Sequence, residues 1–564
     1  MSLTLINRIF KILNSKEKFL VSLCFIFMII SSILELIGIG LIIPLISFFV
    51  DGSNQSGDSF KIFSYIRQIF KNFELKDFLI LIIFIYLFKN LYITFYHYFT
   101  LKTSLKIRNR LVHNIYSKYL GQNLNFYTKR SSPEIIRNIY EIQDFYIIID
   151  NYLSLILELI IFISFFFFLI MLNPVLTSYT FITALFVIYF MNKIGKKKFY
   201  SFGKSIQSIR KVINKFIIEN FINIKIIKVK QIENRFSKDF SHLDNSLAKI
   251  TFKSDFLLQL PRAIIETLAV FFLCIIIFDS LGEISKKEII TYLGVLVAIL
   301  VRLMPGVTRI IFALQKAKFF EPKINLVCDQ YKLKRQRKNL KRSVLKKFDE
   351  LEVKNLYFKY PGQSFILKNL NFKIKKNSLN CIIGKNGSGK STLINIILGL
   401  LEPNSGEIFY NKINLNKIIP NISYVPQDIN LIDDSIKNNI IFIENKKKFN
   451  KKNFKNAIKL TNLSEFISKL PLKQNTIIGE KGARISGGQA QKIGLARSIY
   501  SNSDIIMIDE FDNNLDAKST EKIIKSFSRM KKNKTIIIIT HNQKFEKYFD
   551  NVYKINNYKI TQIK

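Results

Sequence analysis

Every long apolar run in this 564-residue chain lies before about residue 315. Six follow one another, from about Phe19 to Val50, Phe78 to Leu101, Phe145 to Leu172, Val175 to Met191, Phe256 to Phe278 and Ile289 to Leu303. Most reach the ~20 residues an α-helix needs to cross a ~30 Å hydrocarbon core. A bilayer offers no hydrogen-bond partners, so runs of this kind dictate helices. The first run exceeds one span and is expected to tilt or project beyond the bilayer. Asn173 and Pro174 alone separate the third from the fourth, a tight helical hairpin, and Arg302 and Pro305 interrupt the end of the sixth. A chain of this length needs more than one core. The expected division is an amphipathic segment over 1–15, a helical membrane domain over 16–328, a basic linker over 329–349 and a polar domain over 350–564.

Charge sets the orientation. The connections 102–144 and 192–255 are long and rich in Lys and Arg, among them Lys102, Arg108, Arg130, Lys196, Lys197 and Lys198. Those near 51–77 and 279–288 are short and nearly balanced. The positive-inside rule then puts the long loops, both termini and the polar domain in the cytoplasm. Both long loops keep helical periodicity, so the membrane helices extend into the cytoplasm, with turns near Ser131-Ser132-Pro133 and around Glu219 to Asn223. In LTLINRIFKIL, residues Leu5, Ile6, Ile9, Phe10 and Leu13 share one face, which reads as a helix lying on the membrane rather than one docked on protein.

The formal net charge of +44 admits anionic lipid or nucleic acid as a partner. Lysines are spread through the whole chain and no nucleic-acid module is present, so the charge reads as solvated lysines with attraction to lipid. Four cysteines, Cys24, Cys274, Cys328 and Cys381, lack metal-ligand spacing and read as reduced and structural. Charges at membrane depth are expensive and so point to function. Glu35, Lys89, Glu158, Arg262, Glu266 and Arg302 lie within or beside the spans. Arg262 and Glu266 are one helical turn apart and can pair. Lys89 and Arg302 have no local partner. With Arg262 they make a set of cations suited to a phosphate-bearing substrate, against snorkelling or structural pairing as the plainer reading.

The polar domain carries a different signal. LNCIIGKNGSGKSTLINIIL, from Leu379 to Leu398, is a strand, a glycine-rich loop and a helix, the context that G-x-x-x-x-G-K-S requires. The loop runs Gly384, Lys385, Asn386, Gly387, Ser388, Gly389, Lys390, Ser391, Thr392. Its glycines let backbone N–H groups face inward around phosphate oxygens, and the helix start adds positive charge. Lys390 can reach the terminal phosphates, and the Ser391 hydroxyl can ligate Mg²⁺. Tyr360 precedes the loop, and Gln427 ends a short strand-like run in NISYVPQD. Gly487 and Gly488 begin a second helix, displaying the Ser486 hydroxyl. The run Ile505 to Ile508 delivers Asp509, suited to Mg²⁺, and Glu510, suited to polarising a water. KTIIIITH is a further buried strand ending at His541.

This set, from about 350 to 564, resembles an ATP-binding cassette (ABC) domain. The resemblance implies that Tyr360 stacks on adenine, that Gly384 to Thr392 is the Walker A loop, and that Gln427 is the Q-loop residue. It further implies Ser486, Gly487, Gly488 and Gln489 as the signature, Asp509 as Walker B, Glu510 as catalytic base, Asp516 in the D-loop and His541 as the switch histidine. Gly479-Glu480-Lys481-Gly482 resembles the G-E-x-G element of exporters. Ile485 stands where leucine is usual, Asn542 where arginine is common, and Phe511-Asp512-Asn513-Asn514-Leu515-Asp516 where A-T-S-A-L-D is frequent. The bulk of Phe511 and the two asparagines put the D-loop's detail in question. A helical membrane domain followed by one cassette implies an exporter-type half-transporter. One chain holds one phosphate loop and one signature, so the resemblance implies a homodimer with two composite ATP sites.

The membrane half resembles PglK-type flippases, through E-x-x-x-I-x-L-x-x-P at Glu35 to Pro44, P-R-x-x-x-E at Pro261 to Glu266, and R-L-M-P at Arg302 to Pro305 followed by Arg309. That likeness implies ATP-driven flipping of a polyprenyl-diphosphate-linked oligosaccharide across a bacterial inner membrane, with Lys89, Arg262 and Arg302 facing the diphosphate. An exporter of another amphiphile, such as lipid A or a peptide, is the nearest alternative. A non-transporting cassette ATPase is a second, which the apolar spans oppose.

Overall fold

A computed structural model describes residues 3–41, 75–171, 174–280, 286–334, 343–345, 347–362, 364–442, 449–479, 482–512 and 515–564. The chain forms two compact units: Met1–Gln122 with Tyr127–Gln336, and Asn123–Phe126 with Arg337–Lys564.

The first unit is helical, and the start of its fourth helix, within Asn123–Phe126, belongs to the second. Its elements are α1 (Leu3–Ile12), α2 (Ser15–Gly40), α3 (Leu75–Leu120), α4 (Leu124–Lys129), α5 (Ser132–Gln143), α6 (Phe145–Ile170), α7 (Pro174–Ile222), α8 (Ile224–Lys230), α9 (Glu233–Ser280), α10 (Lys286–Phe319) and α11 (Glu321–Lys332). The 46-, 49- and 48-residue lengths of α3, α7 and α9 correspond to about 70 Å each. That is more than twice a ~30 Å hydrocarbon core, so these helices continue well beyond their apolar runs. Windows inside Ser15–Gly38, Lys76–Leu120 and Ser132–Ile170 have mean hydropathies of 2.6, 2.1 and 2.8, enough by length and composition to cross a membrane. The end of the first expected span, the connection 51–74 and part of 279–288 fall outside the described residues.

Local chemistry explains the breaks. Pro133 stands in the first turn of α5, where its missing N–H costs nothing, behind Ser131 in an extended conformation. Pro174 opens α7 in the same way. The short helix α4 precedes the break expected at Ser131-Ser132-Pro133, α7 continues to Ile222 before its break at Asn223, and the short α8 that follows ends at Gln231 in the left-handed region (φ 54°). Pro261 and Pro305 lie inside α9 and α10. Gly203 lets α7 approach α10 closely, because a Cβ there would lie 2.1 Å from the Phe319 carbonyl oxygen.

The amphipathic start is docked on protein. Ile9, Ile12 and Leu13 are buried, and Arg8 donates to Asn325 Oδ1 of α11 at 2.6 Å. Part of the expected face is thus packed on protein, while Phe10 stays exposed. The linker is helical as far as Lys332, and 335–342 lies outside the described residues. Cys24, Cys328 and Cys381 are buried free thiols, and Cys274 is exposed.

The second unit contains β1 (Glu350–Lys359), β2 (Phe365–Lys375), β3 (Leu379–Gly384), β4 (Ser405–Tyr410), β5 (Ile413–Asn414), β6 (Ile422–Val425), β7 (Ile505–Asp509), β8 (Thr535–Ile539), β9 (Asn551–Asn556) and β10 (Lys559–Gln562). A six-stranded sheet runs β10-β9-β3-β8-β7-β6, parallel except for the edge strand β10. A four-stranded antiparallel sheet runs β2-β1-β4-β5. β3, β7 and β8 are continuous apolar runs because both faces of the sheet are covered. One core gathers Leu379, Cys381 and Ile508 with Phe511 and Phe527; the other gathers Ile382, Ile537 and Ile539 with Leu393 and Ile397. Both cores pull the strands into register, and their C-terminal ends bring the polar residues together.

Candidate nucleotide-binding and hydrolysis site

β3 ends at Gly384 and α12 (Lys390–Ile397) begins six residues later. The turn between them needs its glycines. A Cβ on Gly389, at φ 94°, would lie 2.8 Å from Leu367 Cδ2, and Gly387 has φ 78°. Lys390 is buried, with Nζ donating to the carbonyls of Gly384 (2.9 Å) and Lys385 (3.1 Å) and lying 3.9 Å from Glu510 Oε1. The lysine therefore lies across the mouth of its own loop. Lys385 and Asn386 are exposed, and the Ser388 Oγ is buried without a hydrogen-bond partner. The Tyr360 hydroxyl lies 3.4 Å from Thr392 Oγ1, which holds the aromatic beside the loop.

The strands β7 and β8 supply the rest. They are parallel neighbours with Asp509 opposite Ile539, so the residues just past each strand meet. Asp509 is buried and its Oδ1 has no hydrogen-bond partner, with the Ser391 hydroxyl near enough to influence its titration. Burial lifts its carboxyl above the ordinary range; the Ser391 hydroxyl acts against this, the Glu510 charge adds to it, and Lys390 opposes it. A buried, unsatisfied carboxylate oxygen beside a serine hydroxyl is a donor set that fits a divalent cation. Gln427 Nε2 donates to Glu510 Oε2 at 2.8 Å. Glu510 itself has φ 44°, a left-handed backbone rare outside glycine, and its N–H donates to the Ile539 carbonyl at 3.0 Å. Such a conformation persists only where its surroundings over-determine it. Lys390, Ser391, Gln427, Asp509 and Glu510 thus form one cluster, and His541 is exposed just beyond β8.

The signature residues are placed differently. Ser486 caps α13 (Gly487–Tyr500): Gln489 N–H donates to Ser486 Oγ at 3.3 Å, and Ser486 N–H to Gln489 Oε1 at 3.0 Å. This reciprocal pair satisfies two helix-start donors and leaves Ser486 and Gly487 exposed. Asp516 caps α14 (Ala517–Met530) by accepting the Ser519 N–H at 3.0 Å, and the Ser519 hydroxyl, with that N–H second, holds its carboxyl below the usual range. Glu480, Lys481, Asn513 and Asn514 lie outside the described residues, so the G-E-x-G element and the D-loop are only partly described.

One residue, Thr540, escaped sequence reasoning. Thr540, buried beside His541, donates its hydroxyl to Asp512, with Oγ1 at 3.0 and 3.2 Å from the two carboxylate oxygens. The sole signal was Asp512 at a position where threonine is frequent. The ring of Phe511 is 1% exposed, within the core and edge-on to Phe527 at 6.0 Å, so its bulk is taken up inside.

In the helical unit the tentative substrate cations divide. Lys89 is not alone, as expected, but pairs with Glu35 at 3.0 Å, both residues being 8% exposed. Arg262 pairs with Glu266 at 2.8 Å on the exposed surface of α9. The Arg302 side chain lies outside the described residues. Glu158, also buried, pairs with Arg309 at 2.5 Å.

Comparison with known proteins agrees with both halves. Residues 21–302 match the ABC transporter transmembrane region, and 367–513 match the ABC transporter family. The chain is 28% identical over 463 residues to an ATP-dependent lipid A-core flippase of Wigglesworthia glossinidia brevipalpis, covering 79% of this chain and 78% of that one. It is 29% identical over 485 residues to the multidrug resistance-like ATP-binding protein MdlA of Buchnera aphidicola, covering 82% of each. A bacterial Atm1-family ABC exporter solved with ATP bound shares the fold at a TM-score of 0.78, with 16% identity over 97% of this chain and 95% of that one. The chain belongs to the ABC transporter family, as an exporter-type half-transporter whose ATPase domain couples hydrolysis to transport.

Proposed function

We propose that two copies of this chain form an ATP-driven flippase in a bacterial inner membrane, with both termini and the ATPase unit cytoplasmic, carrying a phosphate-bearing glycolipid to the outer leaflet. The observation that carries the homodimer is the exposed start of α13, where Ser486 and Gln489 bond to each other rather than to the chain's own phosphate loop. ATP lies along Gly384 to Thr392 with Tyr360 against its base. Ser486, Gly487, Gly488 and Gln489 of the second copy cap its phosphates, and Asp516 lies at the junction. Ser391, Gln427 and Asp509 would hold a Mg²⁺ ion, whose charge neutralises the phosphates when bound. Glu510 orients and polarises the attacking water, and His541 contacts the terminal phosphate. Binding closes the dimer and hydrolysis reopens it.

The first reading of the substrate is a polyprenyl-diphosphate-linked oligosaccharide, supported by the segments around Glu35, Pro261 and Arg302. Arg262 and Arg302 attract the diphosphate, while Lys89 acts within its pair with Glu35. The second is a lipid A-core, supported by the name that the Wigglesworthia relative bears. Proteoliposomes containing both lipids separate them: ATP-dependent movement of the diphosphate glycan alone supports the first, and movement of lipid A-core alone replaces it. Movement of neither lipid sinks the glycolipid reading, and Glu510→Gln is the control for ATP dependence.

A further inference from the structure

We infer that Asp512 is a positioning residue of the hydrolysis site, tying the segment of His541, through Thr540, to the fixed segment that carries the base Glu510. This rests on the roles of Glu510 and His541 proposed above.

The register of the sheet brings the two segments together. Asp509 of β7 lies opposite Ile539 of β8, so Glu510 and Thr540 are the first residues beyond the paired strands. Glu510, with its left-handed backbone, gives its N–H to the Ile539 carbonyl at 3.0 Å. Two residues later the Asp512 carboxylate receives the Thr540 hydroxyl, with oxygens at 3.0 and 3.2 Å. A hydroxyl has a single proton to give. Spending it on Asp512 turns a lone pair of Thr540 Oγ1 toward the Asn542 N–H, which donates to it at 3.0 Å. That bond from residue 542 to the side chain of 540 is a turn closed around His541. The residues flanking His541 are therefore tied through Thr540 to Asp512.

Both ends of this tie are anchored. Thr540 is 2% exposed and gives its N–H to the Ile382 carbonyl. Phe511, between the base and Asp512, is 1% exposed and packs on Phe527. A hydrogen bond to a charged group is stronger than a neutral one, so aspartate here holds Thr540 more firmly than the hydroxyl frequent at this position could. His541, exposed beyond its strand, needs such support, since a displacement of about 1 Å can cost ~10²-fold in rate.

The test is steady-state ATP hydrolysis by the full-length reconstituted protein. Asp512→Ala is expected to lower kcat about tenfold with KM for ATP within about twofold. Thr540→Val should do the same, and the double variant should fall no further than either single one. Asp512→Asn, which keeps an acceptor oxygen, should recover most of the rate. In a His541→Ala background, Asp512→Ala should add little further loss, an outcome that a general packing defect would not produce. Independent losses in the double variant, a KM rise with kcat unchanged, or full loss on top of His541→Ala would overturn the assignment. Melting temperatures of all variants, measured in parallel, separate misfolding from misplacement: a drop that accounts for the lost rate also overturns it. Loss of turnover in Glu510→Gln with wild-type kinetics in Asp512→Ala would sink this inference alone. Normal turnover in Glu510→Gln would sink the base assignment beneath it.

Discussion

The two units of this chain place their charges by opposite rules. In the nucleotide-binding unit, the groups that meet come from strand ends and one glycine-rich turn, with Asp509 and Glu510 adjacent in sequence and Lys390 and Ser391 likewise. In the helical unit, the buried charges reach across helices: Glu35 of α2 to Lys89 of α3, and Glu158 of α6 to Arg309 of α10. Phosphate chemistry needs a tight backbone cradle, and a cradle is a local object. A buried ion pair needs only an opposite charge nearby in space, which sequence distance does not reveal.

The largest expected effect tests the local rule. Glu510→Gln removes the carboxylate that Gln427 and Lys390 approach, and general-base loss typically lowers rates about 10²–10⁴-fold. Phosphate release from the reconstituted protein checks it. Turnover within a few-fold of wild type would take the base role from Glu510 and weaken the whole strand-end assignment.

The next tests the long-range rule. Lys89→Met removes the charge that Glu35 pairs with in a buried setting, and breaking such a pair costs about 3–5 kcal/mol. Adding Glu35→Leu should return most of that loss, because two apolar groups need no partner. Arg262→Ala, on the exposed surface, should leave stability unchanged. Denaturation in detergent micelles reads all three. Equal losses for Lys89→Met and Arg262→Ala would erase the distinction between the buried pair and the exposed one.

What the sequence made legible follows the same division. Strands β3, β7 and β8 were visible as short apolar runs, and the phosphate loop from its glycines, because burial on both faces and backbone geometry act residue by residue. The breaks at Pro133 and Pro174 were legible for the same reason. The partner of Lys89 was not, since Glu35 lies on a different helix with a connection of 51–74 between them. The packing of Ile9 and Ile12 was not either: an amphipathic face looks alike whether lipid or protein covers it, and here Ile9 and Ile12 are buried while Phe10 is exposed. The place taken by the bulk of Phe511 was not legible either: its ring faces Phe527 inside the core. Phe511→Ala should therefore cost about 3 kcal/mol or more by leaving a core cavity. A loss below about 1 kcal/mol in urea unfolding would return Phe511 to the loop surface, since surface changes rarely exceed that size.

The smallest effect is the most discriminating, because Ser486 belongs to both rules at once. Within one copy it is a local helix cap, paired reciprocally with Gln489. In the proposed dimer it is a long-range group that meets the phosphates held by the other copy. The two roles respond differently to substitution. Replacing a serine cap by alanine costs about 1 kcal/mol, whereas glycine costs only a few tenths. Ser486→Ala should thus be less stable than Ser486→Gly, but both lack the hydroxyl and should lose ATP-dependent turnover to the same degree. If Ser486→Gly keeps wild-type turnover, the hydroxyl serves the fold alone, and the exposed start of α13 is no longer a reason to place a second copy against it.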